Sequence, residues 1–559
     1  MHVEAGPGSP AVPQIPAGPE TPAGRSRLRP DRLAAGLSAA ILAGGALAAV
    51  APSQTALASG TTLYAYAHGG ATSTSSCPDT EETSRQCTLA EALAKAAAGD
   101  VVALATSGRS GHYVGNWAVN TAKTTVASPL ILRPGAGVVA PVLDGNNGVG
   151  VACGTKACNG PVLTVGPNVH LDVDAITIED ANNTTSGLGG GLENIHGGAV
   201  TVSRSRFFHD YANANGGAID NAGTSGTGTL VVTASSFVSN YSVNGDGGAI
   251  ANADVGGQGT VTVSGSTFSS NSAINGNGGA IDNGDTRGRG ILTLSSSAFL
   301  GNVAARAGAV DNADNGYGTL IVSRCTFSDN VAALDDGGAI DNADWSGKGT
   351  LTVSASTFSA NKTVGDGGAI DNADNSGSSG NLTVSTSTFW DNIADVHGGA
   401  IDTSDEGSPG TVVLWASTFS RNNANNVYTG SGVPGGSALN LGDHGALWTA
   451  ADVFNGACRS SGGTWHDKGY NIGRNSTCLR GARGDVGDGS LRLGPLANNG
   501  GPTETAIPSK GDPAVGAVPY MTSVKLGGRT VNLCPSTDQR GARVSGHHRC
   551  DAGSVQPPS

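Results

Sequence analysis

Eight phenylalanines, Phe207, Phe237, Phe268, Phe299, Phe327, Phe358, Phe389 and Phe419, recur at intervals of 28 to 31 residues. Each after the first is followed three places on by an asparagine, from Asn240 to Asn422; Phe207 has Asp210 there. A beat of this length marks a repeated unit that buries its apolar face only against copies of itself. Five and seven residues ahead of each Phe stands Val or Leu, as in Val261 and Val263 before Phe268 or Leu292 and Leu294 before Phe299. Thr and Ser alternate with them, the period-two pattern of a half-buried strand. Two places before the Phe the residue is Ser, except for Cys325. Gly-Gly-Ala-Ile opens a segment at Gly216, Gly247, Gly278, Gly337, Gly367 and Gly398, with Ala-Gly-Ala-Val at Ala307.

The parity of these columns dictates a bend. Phe and the Ser two places earlier share one face of a strand, while the Val/Leu pair has the opposite parity. Both sets face inward only if the chain turns between them. Two strands joined by that bend, with a third at Gly-Gly-Ala-Ile, close one coil of a parallel β-helix. Equivalent residues then stack at about 4.8 Å. Each stacked Phe should contribute about 1.5–3 kcal/mol by burial. The paired glycines suit turns with positive φ. The Asn suits a corner where its amide bonds the backbone and its stacked neighbours. Cys325, in the Ser column, reads as an inert buried thiol.

Composition agrees. Of 559 residues 88 are Gly, with charged residues at 13% and aromatics at 4%. That is too few large apolar groups for several ordinary cores. The regular recurrence of Val, Ile, Leu and Phe argues against disorder. A net charge of −13 disfavours nucleic acid as a partner and suits cations.

Residues 1–58 read as an export signal. Arg25, Arg27, Arg29 and Arg32 precede an apolar run from Leu33 to Val50, and Ala56-Leu57-Ala58 offers a cleavage site. The run is also long enough for a membrane helix; its glycines, flanks and cleavage site favour a removed signal. The expectation is an extracellular protein, secreted or cell-surface associated, monomeric and without a membrane span once the signal is gone. Nine cysteines fit an oxidising compartment. Proximity suggests the pairs Cys77–Cys87, Cys153–Cys158, Cys458–Cys478 and Cys534–Cys550, although sequence alone does not fix connectivity.

Residues 59–128 are assigned to an N-terminal cap. Its helix, near Thr88 to Gly99, opens on a capping box of Thr88 and Glu91. Residues 129–455 are assigned to the β-helix and 456–559 to a disulfide-bonded C-terminal cap.

The Gly-Gly-Ala-Ile and Phe-x-x-Asn pairing resembles the repeat of bacterial polymorphic outer-membrane proteins. Cys87-Thr88-Leu89-Ala90-Glu91-Ala92 is similar to the segment that opens many secreted β-helix proteins. Gly494-Pro495-Leu496-Ala497-Asn498-Asn499-Gly500-Gly501-Pro502-Thr503 and Cys550-Asp551-Ala552-Gly553 resemble the C-terminal region of choice-of-anchor β-helix proteins. The resemblance implies a pectin-lyase-like right-handed single-stranded parallel β-helix, all-β in class. It implies little about activity, because that fold carries lyases, hydrolases and adhesins.

Three groups of residues could carry function. Acidic columns come first. Asp282, Asp311, Asp341 and Asp371 follow Gly-Gly-Ala-Ile/Val, and Asp285, Asp314, Asp344 and Asp374 stand three residues further on. Carboxylates one strand apart repel by about 3 kcal/mol at an effective dielectric near 20. Two readings are open: each Asp bonds turn amides and faces solvent, or the columns hold calcium, which takes carboxylate oxygens. Second, Trp390 and Trp415 could stack on sugar rings or pack under a neighbouring loop. Third, a lyase or hydrolase centre would need a basic residue or a carboxylate pair singled out in one coil, and no coil stands out. The favoured reading is a non-catalytic adhesion or polysaccharide-binding module, calcium being the candidate cofactor and a polysaccharide or cell-surface polymer the candidate partner. The alternatives are a polysaccharide lyase or glycoside hydrolase, and a structural extracellular protein.

Overall fold

A computed structural model describes residues 60–67, 87–105, 111–121, 124–145, 152–153, 156–157, 159–184, 186–403, 407–425, 436–487, 489–544 and 549–556. The chain divides after Ala43, and every described residue belongs to the second unit, Gly44–Ser559. The export signal, Cys77, Cys158 and the side chain of Cys153 lie outside the described residues.

Each regular coil has four strands, one more than the sequence pattern suggests. In one coil they are Lys348–Ser354, Thr357–Ser359, Lys362–Thr363 and Ile370–Asn372. Every strand pairs in parallel with its equivalent in the next coil. Stacking builds two 14-stranded and two 9-stranded sheets. The added strand is the two-residue segment after the Phe-x-x-Asn corner, too short to leave a periodic signal. A residue with positive φ turns each corner: Ala355 at 49°, Ala360 at 54°, Gly367 at 65° and Ala373 at 67°. For a residue with a Cβ this conformation costs about 1–2 kcal/mol. It is held because the corner amide bonds a carbonyl of the adjacent coil, as Ala360 does to Trp390 at 3.0 Å. The second glycine of each pair answers to spacing: a Cβ on Gly248 would lie 2.3 Å from the carbonyl oxygen of Gly279.

The expected columns stack. Phenylalanine rings from Phe207 to Phe419 lie 4.7–4.9 Å apart with interplanar angles of 1–5°, and Phe454 extends the stack at 5.3 Å. Beside it, each Asn carboxamide donates to the next, as from Asn271 to Asn302 at 3.0 Å. In the Ser column each hydroxyl accepts from the backbone amide of its equivalent in the adjacent coil, as Ser266 Oγ does from Ser235 at 3.1 Å, and Cys325 takes part through its amide, which bonds Ser356 Oγ at 3.1 Å. Cys325 is a buried free cysteine, and burial pushes its thiol up to about 12.

The stack is longer than residues 129–455. It begins at Thr62–Tyr66, which pairs with Val101–Ala105, and that strand pairs with Leu130–Pro134. It continues through Val486–Gly487. The helix Leu89–Lys95 carries the predicted capping box and sets Leu89, Ala92 and Leu93 into the core. The disulfides Cys458–Cys478 and Cys534–Cys550 are formed. Cys87 is disulfide-bonded as well. Beyond the last coil the chain folds back along the flank: Gln539 bonds Thr357 and Thr388 at 2.8 and 2.6 Å, and Ser554 bonds Thr418 at 3.0 Å. Among the described residues no helix is long and apolar enough to cross a membrane.

Two outcomes test this packing. Phe299→Ala, in mid-stack, should cost about 3–5 kcal/mol, read as a lowered denaturation midpoint; a shift below about 1 kcal/mol would contradict the stacked core. Cys325 should resist a thiol reagent in the native protein and react once it is unfolded.

Candidate functional site: a buried acidic groove

The three-residue strand after each Gly-Gly-Ala points Ile or Val inward and Asp outward. Parallel register sets Asp282 beside Asp311, then Asp341, then Asp371. Ala251 separates Asp220 from Asp282, and Ile401 bridges to Ile370, which carries the row on to Asp402. Outward carboxylates should be wet. Instead Asp220, Asp282, Asp311, Asp341 and Asp371 are 0–1% exposed.

Two loops seal them. The loop before each Gly pair supplies Asn215, Asp246, Asn277, Arg306, Asp336, Asp366 and His397, and the loop after each Asn supplies Asp254, Asp285, Asp314, Asp344 and Asp374. The two rims meet across the row. Asn215 Nδ2 donates to Asp254 at 2.7 Å, and Asn277 Nδ2 donates to Asp314 at 2.8 Å. Arg306 Nε donates to Asp335 at 2.7 Å and lies 3.8 Å from Asp344. The result is a groove with carboxylates on its floor and along both rims.

On the floor, neither carboxylate oxygen of Asp220, Asp282, Asp311, Asp341 or Asp371 has a hydrogen-bond partner. Burial, and then the neighbouring carboxylates, hold these five well above the usual carboxylate range. On the rims, burial raises Asp246, Asp254 and Asp314 to about 7. Carboxylates this close lack any donor between them, so a proton or a cation must intervene.

The eight aspartates singled out from the sequence therefore line one groove. The reading in which each faces solvent and caps a turn does not describe the buried floor. The sequence reading did not foresee the asparagine column next to the floor, in which Asn252, Asn283, Asn312, Asn342 and Asn372 are linked by bonds of 2.7–2.8 Å. The Asn that follows Asp220, Asp282, Asp311, Asp341 and Asp371 was the available signal. Asp366, His397 and Asp402 bring donor atoms within 4.8 Å of one another, as do His112, Asp144 and Glu179 at the other end of the chain. Sequence spacing hid both groups, because His112, Asp144 and Glu179 come from three coils and Asp366 joins His397 and Asp402 from the coil before.

Trp390 and Trp415 lie on other sheets. Arg421 covers the Trp390 ring at 5.0 Å. Trp415 packs against the folded-back C-terminal segment around Val518, Leu526 and Leu533, so part of its ring is spent on protein. A different tryptophan borders the groove. Trp345, in the rim loop, is 50% exposed and lies under Arg306 at 5.2 Å. With Thr286, Arg306, Asp314, Asn315 and Ser346 it lines an open depression of 410 Å³.

The raised carboxyls fix the sign of a pH effect. Each is easier to protonate folded than unfolded, so its contribution to stability is complete below about pH 4 and is lost as pH rises through its raised value, about 7 for Asp246, Asp254 and Asp314. In chelator, the melting temperature should fall from about pH 5 to about pH 8; a flat or rising profile would contradict a buried acidic floor.

No protein-family model and no curated protein sequence matches the chain. Among solved structures, an XylC protein in complex with xylose aligns at 9% identity over 89% of this chain and 98% of that one, with a TM-score of 0.38. A GH136 lacto-N-biosidase from Eubacterium ramulus aligns at 10% identity over 73% and 68%, TM-score 0.32. A PL6-family alginate lyase aligns at 12% identity over 75% and 54%, TM-score 0.22. All three scores fall below 0.5, and it is the parallel register of its own strands that makes this molecule a parallel β-helix.

Proposed function

We propose that this chain is an extracellular, non-catalytic β-helix that binds a polysaccharide or cell-surface polymer. The observation that carries this reading is the depression beside the groove. Trp345 offers a half-exposed ring, backed by the Arg306 guanidinium. Asp314, Asn315, Thr286 and Ser346 surround it with hydroxyl, amide and carboxylate groups. An aromatic face with polar groups at its margin suits a sugar ring, whose C–H face stacks while its hydroxyls bond. The disulfides fit an oxidising compartment.

The burial of the floor supports a role without catalysis. A carboxylate that transfers a proton to a glycosidic oxygen must come within hydrogen-bond reach of it. Glycoside hydrolysis needs two carboxyls flanking the bond; the depression is lined by one, Asp314, and the floor aspartates are sealed beneath two loops.

Affinity electrophoresis against a panel of neutral and acidic polysaccharides, with the same mixtures assayed for reducing ends and unsaturated products, tests the reading. Retention without products is the expected outcome, and Trp345→Ala should weaken it about tenfold, the equivalent of about 1.4 kcal/mol. Product formation would favour a lyase or hydrolase. Retention unchanged by Trp345→Ala would remove the depression as the binding site.

A further inference from the structure

We propose that Asp366, His397 and Asp402 form a zinc site at the C-terminal end of the groove, with one imidazole nitrogen, two carboxylate oxygens and a fourth position for water. None of these residues lines the depression beside Trp345, so the site stands apart from polymer binding.

Three donor atoms, one from each side chain, lie within 4.8 Å of one another. His397 is the rim residue of the coil that carries Asp402, and Asp366 holds the same rim position one coil earlier. The His397 amide donates to Asp366 Oδ1 at 2.5 Å, which sets that carboxylate beside the ring. His397 Nδ1 lies 3.2 Å from the same oxygen. Zinc takes histidine nitrogen and carboxylate oxygen at about 2.0–2.2 Å, so neighbouring ligands of a tetrahedral ion stand about 3.3 Å apart. His397 Nδ1 and Asp366 Oδ1 already have that spacing. The converging set as a whole is within about 1.5 Å of it, inside the reach of side-chain torsions. The donors also select the ion: imidazole with two carboxylates suits zinc, whereas calcium and magnesium take oxygen.

A second observation points to a cation here. The bridge between Ile370 and Ile401 places Asp371 beside Asp402. Asp371 is wholly buried, and neither of its carboxylate oxygens has a hydrogen-bond partner. Such a group stacked on another carboxyl is costly unless positive charge or a proton offsets it. A protonated His397 would bring one positive charge to three carboxylates; a zinc ion brings two. Asp402 is fully buried, while the side chains of His397 and Asp366 are 13% and 14% exposed, so the site opens to solvent on its rim side. It also lies where the stack weakens. One nine-stranded sheet ends at Ile370–Asn372, and the next coil joins it through an isolated bridge. An ion held by Asp366 in one coil and by His397 and Asp402 in the next would tie the two together.

The full chain, stripped with chelator and dialysed against zinc, should retain one more zinc ion per chain than His397→Gln treated alike, by elemental analysis. Zinc should raise the melting temperature of the unsubstituted chain. Asp402→Asn, close in shape to the native residue, should lose the same ion, with circular dichroism checking the fold of both variants. A crystal soaked in zinc needs no variant: its anomalous difference map should show a peak between Asp366, His397 and Asp402. Equal zinc in the unsubstituted chain and in folded His397→Gln, a melting temperature indifferent to zinc, or no anomalous peak at these residues would overturn the proposal.

Discussion

Parallel register at 4.7–4.9 Å per coil is the constraint on which the rest of the molecule depends. It forces every side chain to meet its own equivalent above and below. For Phe this is favourable: flat rings stack, and each coil buries a ring that no single coil could shield. For Asn it is favourable too, because a carboxamide is both donor and acceptor and can bond an identical neighbour. For Asp the same geometry is adverse. A carboxylate accepts only, and stacking it on another adds repulsion to the cost of burial.

The molecule places these cases side by side. The Asn column and the Asp column occupy adjacent positions of the same short strand, one satisfied through its length and the other unsatisfied. Simple solubility does not account for the second, since residues on a wet surface would not be covered by two loops. The chain stabilises its fold through the Phe, Ser and Asn columns. It concentrates unsatisfied carboxyl groups in one groove, where strain of this kind is characteristic of function.

Much of the fold was legible because repetition converts sequence spacing directly into spatial stacking. Phe268, Phe299 and Phe327 could be placed over one another from their numbering alone, and Cys325 could be recognised as a substitute within a Ser column. The fourth strand escaped because two residues carry no period. The true ends of the stack escaped because Thr62–Tyr66 and Val486–Gly487 belong to coils that lack the repeated residues. Trp415 was open to two readings, a sugar-stacking ring or one packed under a neighbouring loop, because nothing in its own coil announces that a segment more than a hundred residues later in the chain lies against it.

By itself the sequence determined the coil period, the identity of the inward columns, the capping helix and the alignment of the aspartates, since each follows from local pattern and from the rule that equivalent positions stack. It could not determine whether those aspartates are wet or dry. That depends on rim contacts such as Asn215 to Asp254 and Asn277 to Asp314, formed between residues of neighbouring coils that share no periodic relation. Only the tertiary structure closes the loops over the floor. Water is excluded by that closure, and its exclusion turns a row of outward-facing strand residues into a row of buried carboxyl groups without hydrogen-bond partners.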